Sequence, residues 1–256
     1  MGRELVARHL PAIRSEFSPD FLIANSENLT SGKGPVPEHV AFMRDLGFDC
    51  LTGGNHVFSH VKDLAAELSD PRSIQIRPAN YYEVPGCPIQ GKGTRVIEKG
   101  GKKVLVIKLM SSTFLKDDVY NPFLKADEIL ASSATEKFDA VLVDFHRETT
   151  AEIYCMAEYL SGRATFVYGT HTHVQTNDEH VLESGTGMIA DVGMTGPLHS
   201  AIGQKFEGRL PRMVTGVGLF SKKPEPLSEG PGSLHAVLVE IEGGKCLSIE
   251  KIRIRD

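Results

Sequence analysis

Along the chain, short aliphatic or β-branched runs end abruptly on polar residues, and they do so four times. Phe21-Leu22-Ile23-Ala24 runs into Asn25-Ser26-Glu27-Asn28, and Cys50-Leu51-Thr52 into Gly53-Gly54-Asn55-His56. Val141-Leu142-Val143 meets Asp144-Phe145-His146, and Phe166-Val167-Tyr168 meets Gly169-Thr170-His171-Thr172-His173. Runs of this length and composition predict strands. Between them the periodicity becomes helical. Pro37 opens a segment with Val40, Met43 and Leu46 on one face and Gly47 placed to end it, and Glu148 to Leu160 reads as another helix. Alternation of strand and helix predicts an α/β layered sheet. Thr94–Glu98 with Lys103–Leu109 around Gly100-Gly101, and Leu234–Ile241 with Cys246–Ile254 around Gly243-Gly244, predict two hairpins, so the sheets should be mixed. Gly2 to Phe17 carries Leu5, Val6, Leu10, Ile13 and Phe17 near one helical face, broken only by Pro11, and predicts a helix with no strand before it. The Pro-, Gly- and Ser-rich stretch Lys222 to Ser233 predicts a connector before the final hairpin.

Composition narrows the class. A chain of 256 residues, 41% hydrophobic and 24% charged, can bury a full core as one domain spanning 1–256, and is neither disordered nor fibrous. No window offers the roughly 18 uninterrupted apolar residues of a membrane span. Arg3, Glu4, Arg8 and His9 interrupt any signal-peptide pattern, so a cytoplasmic location is expected. The net charge of -5 argues against a general nucleic-acid surface while leaving a small phosphate substrate open. Cys50, Cys87, Cys155 and Cys246 form no C-x-x-C pair, which points to reduced structural thiols.

In open α/β sheets, ligands bind beyond the carboxyl ends of strands, where side chains from several loops converge. The four strand ends supply Glu27, Asn28, Asn55, His56, His146, His171 and His173, oxygen and nitrogen donors without a thiolate, a set suited to Zn, Mn or Fe. In extended backbone, His171 and His173 would face the same side. A carboxylate can bridge two cations, the natural role for Glu27. Two metals about 3.5–4 Å apart can clamp the entering and leaving oxygens of a displacement at phosphorus.

The ordered set Asn25-Ser26-Glu27-Asn28, Gly54-Asn55-His56, Asp144-Phe145-His146, Gly169-Thr170-His171-Thr172-His173 and Asp191-Val192-Gly193-Met194-Thr195-Gly196-Pro197 resembles the YmdB-type branch of the calcineurin-like metallophosphoesterases. Arg77-Pro78-Ala79-Asn80 and Asn121-Pro122-Phe123 are similar to that branch as well, so the likeness covers essentially the whole chain. The resemblance implies a four-layer α/β/β/α sandwich and a dinuclear centre of two divalent transition metals. It implies hydrolysis of phosphodiesters, with 2′,3′-cyclic nucleotides among the substrates, by attack of a metal-bound hydroxide. Carried over by position, Glu27 bridges, Asn55, His146 and His171 hold one metal, and His173 holds the other. Asn28 would sit beside the hydroxide or phosphate, and His56 would face the phosphate, stabilising charge or protonating the leaving oxygen. A homo-oligomer follows from the resemblance alone. One departure stands out. The family pattern opens with a strand ending in Gly-Asp, whose aspartate shares the metal of His173, and residues 1–19 contain no Asp. That metal position is therefore expected to be weakened, with reduced stability and activity.

Two other readings remain open at this level: a catalytically impaired nucleotide-binding regulator of the same fold, and an amidohydrolase-like metal hydrolase, whose His-x-His would come at the first strand rather than late. His9, His39, His60, His180 and His235 read as surface or packing residues, and His199 as a residue able to fold near the site. Arg147 and Arg163 read as phosphate contacts or solvated charges.

Overall fold

Strand alternation decides which side chains meet in this protein, whose computed structural model describes residues 1–83, 85–86, 88–216 and 227–256. Cys87 and residues 222–226 of the connector lie outside the described residues. The chain begins with α1 (Gly2–Phe17), which runs through Pro11, then β1 (Ile23–Asn25), α2 (Pro37–Asp45), β2 (Cys50–Thr52), α3 (Val61–Ser69) and β3 (Gln75–Ile76). The middle comprises β4 (Thr94–Lys99), β5 (Lys102–Met110), α4 (Pro122–Ser132), β6 (Ala140–His146), α5 (Thr150–Tyr159) and β7 (Phe166–Thr170). Short β8 (His180–Val181), β9 (Gly187–Ile189) and β10 (Gly196–Pro197) follow, then α6 (Phe206–Thr215), β11 (Gly232–Glu242) and β12 (Lys245–Arg255). Among the described residues no helix is long and apolar enough to cross a membrane.

Three sheets result. β1, β2 and β3 are parallel, in that order. The largest sheet runs β4-β5-β6-β7-β9-β8, parallel from β5 to β9 with antiparallel edges. β10, β11 and β12 form an antiparallel third. Both long hairpins close on glycine pairs with positive φ, 58° and 74° at Gly100 and Gly101 and 57° and 79° at Gly243 and Gly244, a turn that a Cβ would strain. The predicted connector is shorter than its composition suggests, because Gly232 and Ser233 already belong to β11.

The core explains the layers. On β5, Leu105, Ile107 and Leu109 point into a cluster with Ala126 of α4 and Ile153 and Met156 of α5. The alternate residues Val104 and Val106 point the other way, meeting Cys50 and Ile76 of the first sheet. Helices α2 and α3 cover that sheet from outside through Val40, Met43, Leu64 and Leu68. Phe166 and Ile189 pack on Val237, Val239 and Ile249 of the last hairpin. The order is helices, sheets, large sheet, helices: the α/β/β/α arrangement. Lys108 occupies the same inward-facing row as Val104 and Val106, and is fully buried.

Candidate metal centre

The site is built at the carboxyl ends of β1, β2, β6 and β7, two strands from each facing sheet. Each loop has its own local reason. After β1, Asn25 Oδ1 accepts from the Glu27 backbone N–H at 3.1 Å, while Ser26 Oγ donates to Gln75 Oε1 at 2.8 Å and Thr52 O at 3.0 Å. This turns the chain tightly enough to bury Glu27, which is 2% exposed. After β2, Gly54 lets Glu27 come close: a Cβ there would lie 2.4 Å from Glu27 Oε2 and 2.7 Å from His146 Cε1. His146 is not past its strand, as the sequence pattern predicts, but is the last residue of β6, and Asp144 lies inside it.

Four predicted donors converge. His146 Nε2 lies 3.1 Å from Glu27 Oε2 and 3.0 Å from Asn55 Oδ1. The His171 ring meets the His146 ring edge-on, centroids 4.6 Å apart, and among the described residues Glu27, His146 and His171 form the one cluster with metal-ligand spacing. His173 stands outside that cluster. Its Nδ1 donates to Ile202 O at 3.0 Å, which leaves Nε2 facing Asn28 Nδ2 at 3.0 Å. Asn28 Oδ1 in turn lies 3.3 Å from His56 Nδ1, and Glu27 Oε1 is 3.6 Å from the same nitrogen. Asn28 thus links His173 to His56 along one edge of the site.

The backbone of the histidine pair differs from the extended form that its spacing suggests. β7 stops at Thr170, and His171 and His173 have φ of 121° and 67°. Such backbone is costly for non-glycine residues and persists where surrounding contacts impose it. The imposing group is Asp191: its Oδ2 accepts from the Thr172 N–H at 2.9 Å and the Thr172 hydroxyl at 2.8 Å, and its Oδ1 from the Gly193 N–H at 2.8 Å. Asp191 was visible only as part of a motif; its place between two histidines comes from tertiary structure. Glu148 is a second group the residue pattern did not single out, receiving His171 Nε2 at 2.9 Å.

Electrostatics favour ligand-ready protonation. Burial raises the Glu27 carboxyl, but His146, His56 and Lys108 outweigh it and hold it at about 2. Burial pushes His146 down to about 4 against the pull of Glu27. The two compete over one proton, since the help His146 gives Glu27 is that of a charged ring. For a ring with no exposed surface burial prevails, and the neutral-pH pair is carboxylate beside uncharged imidazole. Those are the forms in which both bind metal, and the crowded, thiolate-free donor set fits a divalent transition cation. Gly54→Ala should therefore weaken Mn²⁺ binding by about 10–100-fold, the range for disturbing groups around a metal. Equilibrium dialysis reads the loss, with circular dichroism unchanged; undiminished affinity would contradict the placement of Glu27.

Other residues stand apart. Arg147 is neither solvated nor a phosphate contact: it is 2% exposed, its guanidinium packed under Gly169 and donating to Glu148 O. Arg163, past the end of α5, pairs with Asp127 of α4 at 2.6 Å. His9 bonds Asp256, His39 bonds Thr30, His180 bonds the Asp178 carbonyl and His235 bonds Ser233, while His60 precedes α3. The His199 ring meets Phe206 at a tilt of 55°, centroids 5.0 Å apart.

Comparison with known proteins agrees with this geometry. The model of the YmdB-like protein family matches residues 1–252. A 2′,3′-cyclic-nucleotide 2′-phosphodiesterase of Bacillus subtilis (strain 168) is 37% identical over 257 aligned positions, covering 100% of this chain and 93% of that protein. The crystal structure of a hypothetical protein from Thermus thermophilus superposes with a TM-score of 0.87 at 38% identity, covering 99% of this chain and 94% of that one. That of a novel phosphatase from Mycoplasma pneumoniae gives 0.88 at 30% identity, covering 99% and 89%.

Proposed function

This chain belongs to the YmdB-like family, and from that premise we propose that it is a metal-dependent phosphodiesterase that opens 2′,3′-cyclic nucleotides with water. The observation that carries the reading is the approach of Glu27 Oε2 and Asn55 Oδ1, from two loops of one sheet, to within 3.1 Å and 3.0 Å of His146 Nε2 at a strand end of another. Glu27, Asn55, His146 and His171 would hold one cation, and Glu27 with His173 would hold the other; Mn, Fe and Zn all suit such donors. When bound, the cations supply Lewis-acid charge at phosphorus and an acidified water.

The remaining work falls to the chain itself. Asn28 Oδ1 engages His56 at Nδ1, so it is as the imidazolium that this partly exposed histidine carries, on its other ring nitrogen, a proton to give the departing ribose oxygen. Glu27, buried and anionic, would offset part of the positive charge of the cations it holds. The unpaired thiols Cys50, Cys155 and Cys246 support a cytoplasmic location.

The test uses chelated protein, reloaded with Mn²⁺, acting on 2′,3′-cyclic AMP and on bis(4-nitrophenyl) phosphate. Turnover is expected only after reloading. Hydrolysis indifferent to chelation would remove the metal from the mechanism, and binding of the nucleotide without turnover by the loaded protein would favour a regulator of the same fold.

A further inference from the structure

Lys108, Asp144 and Thr170 lie on adjacent strands of the large sheet, all facing the layer between sheets. Lys108 and Asp144 have no exposed side-chain surface. Asp144 Oδ1 accepts from Lys108 Nζ at 2.6 Å and from Thr170 Oγ1 at 2.8 Å, and its Oδ2 accepts from Thr52 Oγ1 and, at 3.5 Å, from Asn25 Nδ2. Four donors, from Lys108, Thr170, Thr52 and Asn25, surround this carboxylate, so both of its oxygens act as acceptors.

The proton count at Thr170 then has one solution. Its hydroxyl has one proton, and Asp144 Oδ1 takes it. Lys108 Nζ, 3.1 Å away, can only donate and occupies one lone pair. His146 Nδ1, 3.2 Å away, faces the remaining lone pair and must supply the proton itself. The opposite tautomer would set the Thr170 oxygen against an anionic oxygen at 2.8 Å with nothing between them. With its proton on Nδ1, His146 turns a bare Nε2 toward Glu27 Oε2 and Asn55 Oδ1, a crowding of lone pairs that a cation between them would relieve.

We infer that Lys108, Asp144 and Thr170 are positioning residues that lock His146 in the Nδ1–H tautomer and so aim its Nε2 lone pair at the cation site. The inference rests on the metal reading of that site. None of the three touches substrate; they act through His146. Partners of this kind fix ring orientation and raise ligand basicity, and their loss costs about 10–100-fold in metal affinity.

Two substitutions at one position test it. Thr170→Val keeps shape and β-branching in β7 but removes the hydroxyl, whereas Thr170→Ser keeps the hydroxyl. By calorimetry, Thr170→Val should bind Mn²⁺ about 10–100-fold more weakly and Thr170→Ser should stay near wild type, with metal-free melting temperatures recorded for all three. Nitrogen NMR of the metal-free wild type, in mildly alkaline buffer and with His146 assigned through His146→Gln, should show the ring protonated on Nδ1. Thr170→Val should shift it toward Nε2–H, donated to Glu27. Equal Mn²⁺ affinity in Thr170→Val, or a wild-type ring protonated on Nε2, overturns the inference. A wild type that binds no Mn²⁺ defeats the metal reading instead, and the NMR result, which needs neither metal nor a stable valine variant, still decides the tautomer.

Discussion

Glu27→Gln is expected to reduce hydrolysis of a phosphodiester by about a thousandfold, ~4 kcal/mol of barrier, within the several kcal/mol that cation charge supplies to such reactions. The amide has nearly the carboxylate's shape and sits in the same turn, held through the Glu27 backbone N–H rather than through the side chain, so the fold should persist. What disappears is the negative charge at a residue only 2% exposed, where solvent cannot replace it. Reduced metal content and a collapse in kcat/KM should occur together, read by elemental analysis and steady-state kinetics. A Glu27→Gln protein with full metal and near-normal turnover would show that this carboxylate is not the bridge.

Lys108→Met should be strongly destabilising. It strands Asp144, with no exposed surface, opposite a thioether, and breaking one half of a buried pair costs about 3–5 kcal/mol. For a chain of this size that lowers the melting temperature by roughly 10 °C. The double variant Lys108→Met with Asp144→Asn should recover much of the loss, because a neutral amide still accepts from Thr170 without needing a counter-charge. Thermal unfolding followed by circular dichroism measures both; a single variant within about 1 kcal/mol of wild type would mean that Lys108 and Asp144 do not act as a buried pair.

Much of the site was legible because its loops follow apolar strands, and a strand's end is where a polar run acquires meaning. Glu27, Asn55, His146 and His171 were found this way. The two hairpins announced themselves through paired glycines, and α2 through Pro37 and Gly47. The strands β3, β8 and β10 have two residues each, too few for any periodicity to show. In the nine residues of α3 only Leu64 and Leu68, one turn apart, are buried, too short a stripe to set the helix apart from the polar loop before it. The bent backbone of His171 and His173 was out of reach, since spacing describes an extended chain while Asp191 imposes its contacts from 19 residues beyond Thr172. Lys108 did leave a trace: a charged residue in the inward-facing row of Lys-Lys-Val-Leu-Val-Ile-Lys-Leu-Met interrupts an otherwise apolar alternation. Its partner could be identified only once the register of β5 and β6 was known.

Glu27 and Asn55 ride on the small parallel sheet, while His146 and His171 ride on the large one. The candidate metal site therefore straddles a seam, and its dimensions are those of the greasy filling that sets how far apart the two halves stand. Trimming Cys50 or Val106, neither of which approaches a substrate, would let that spacing breathe and blur the bite of the donors. In this architecture interior volume acts as a tuning screw for catalysis, so defects in turnover can arise from lesions that a surface map of the cleft would never flag.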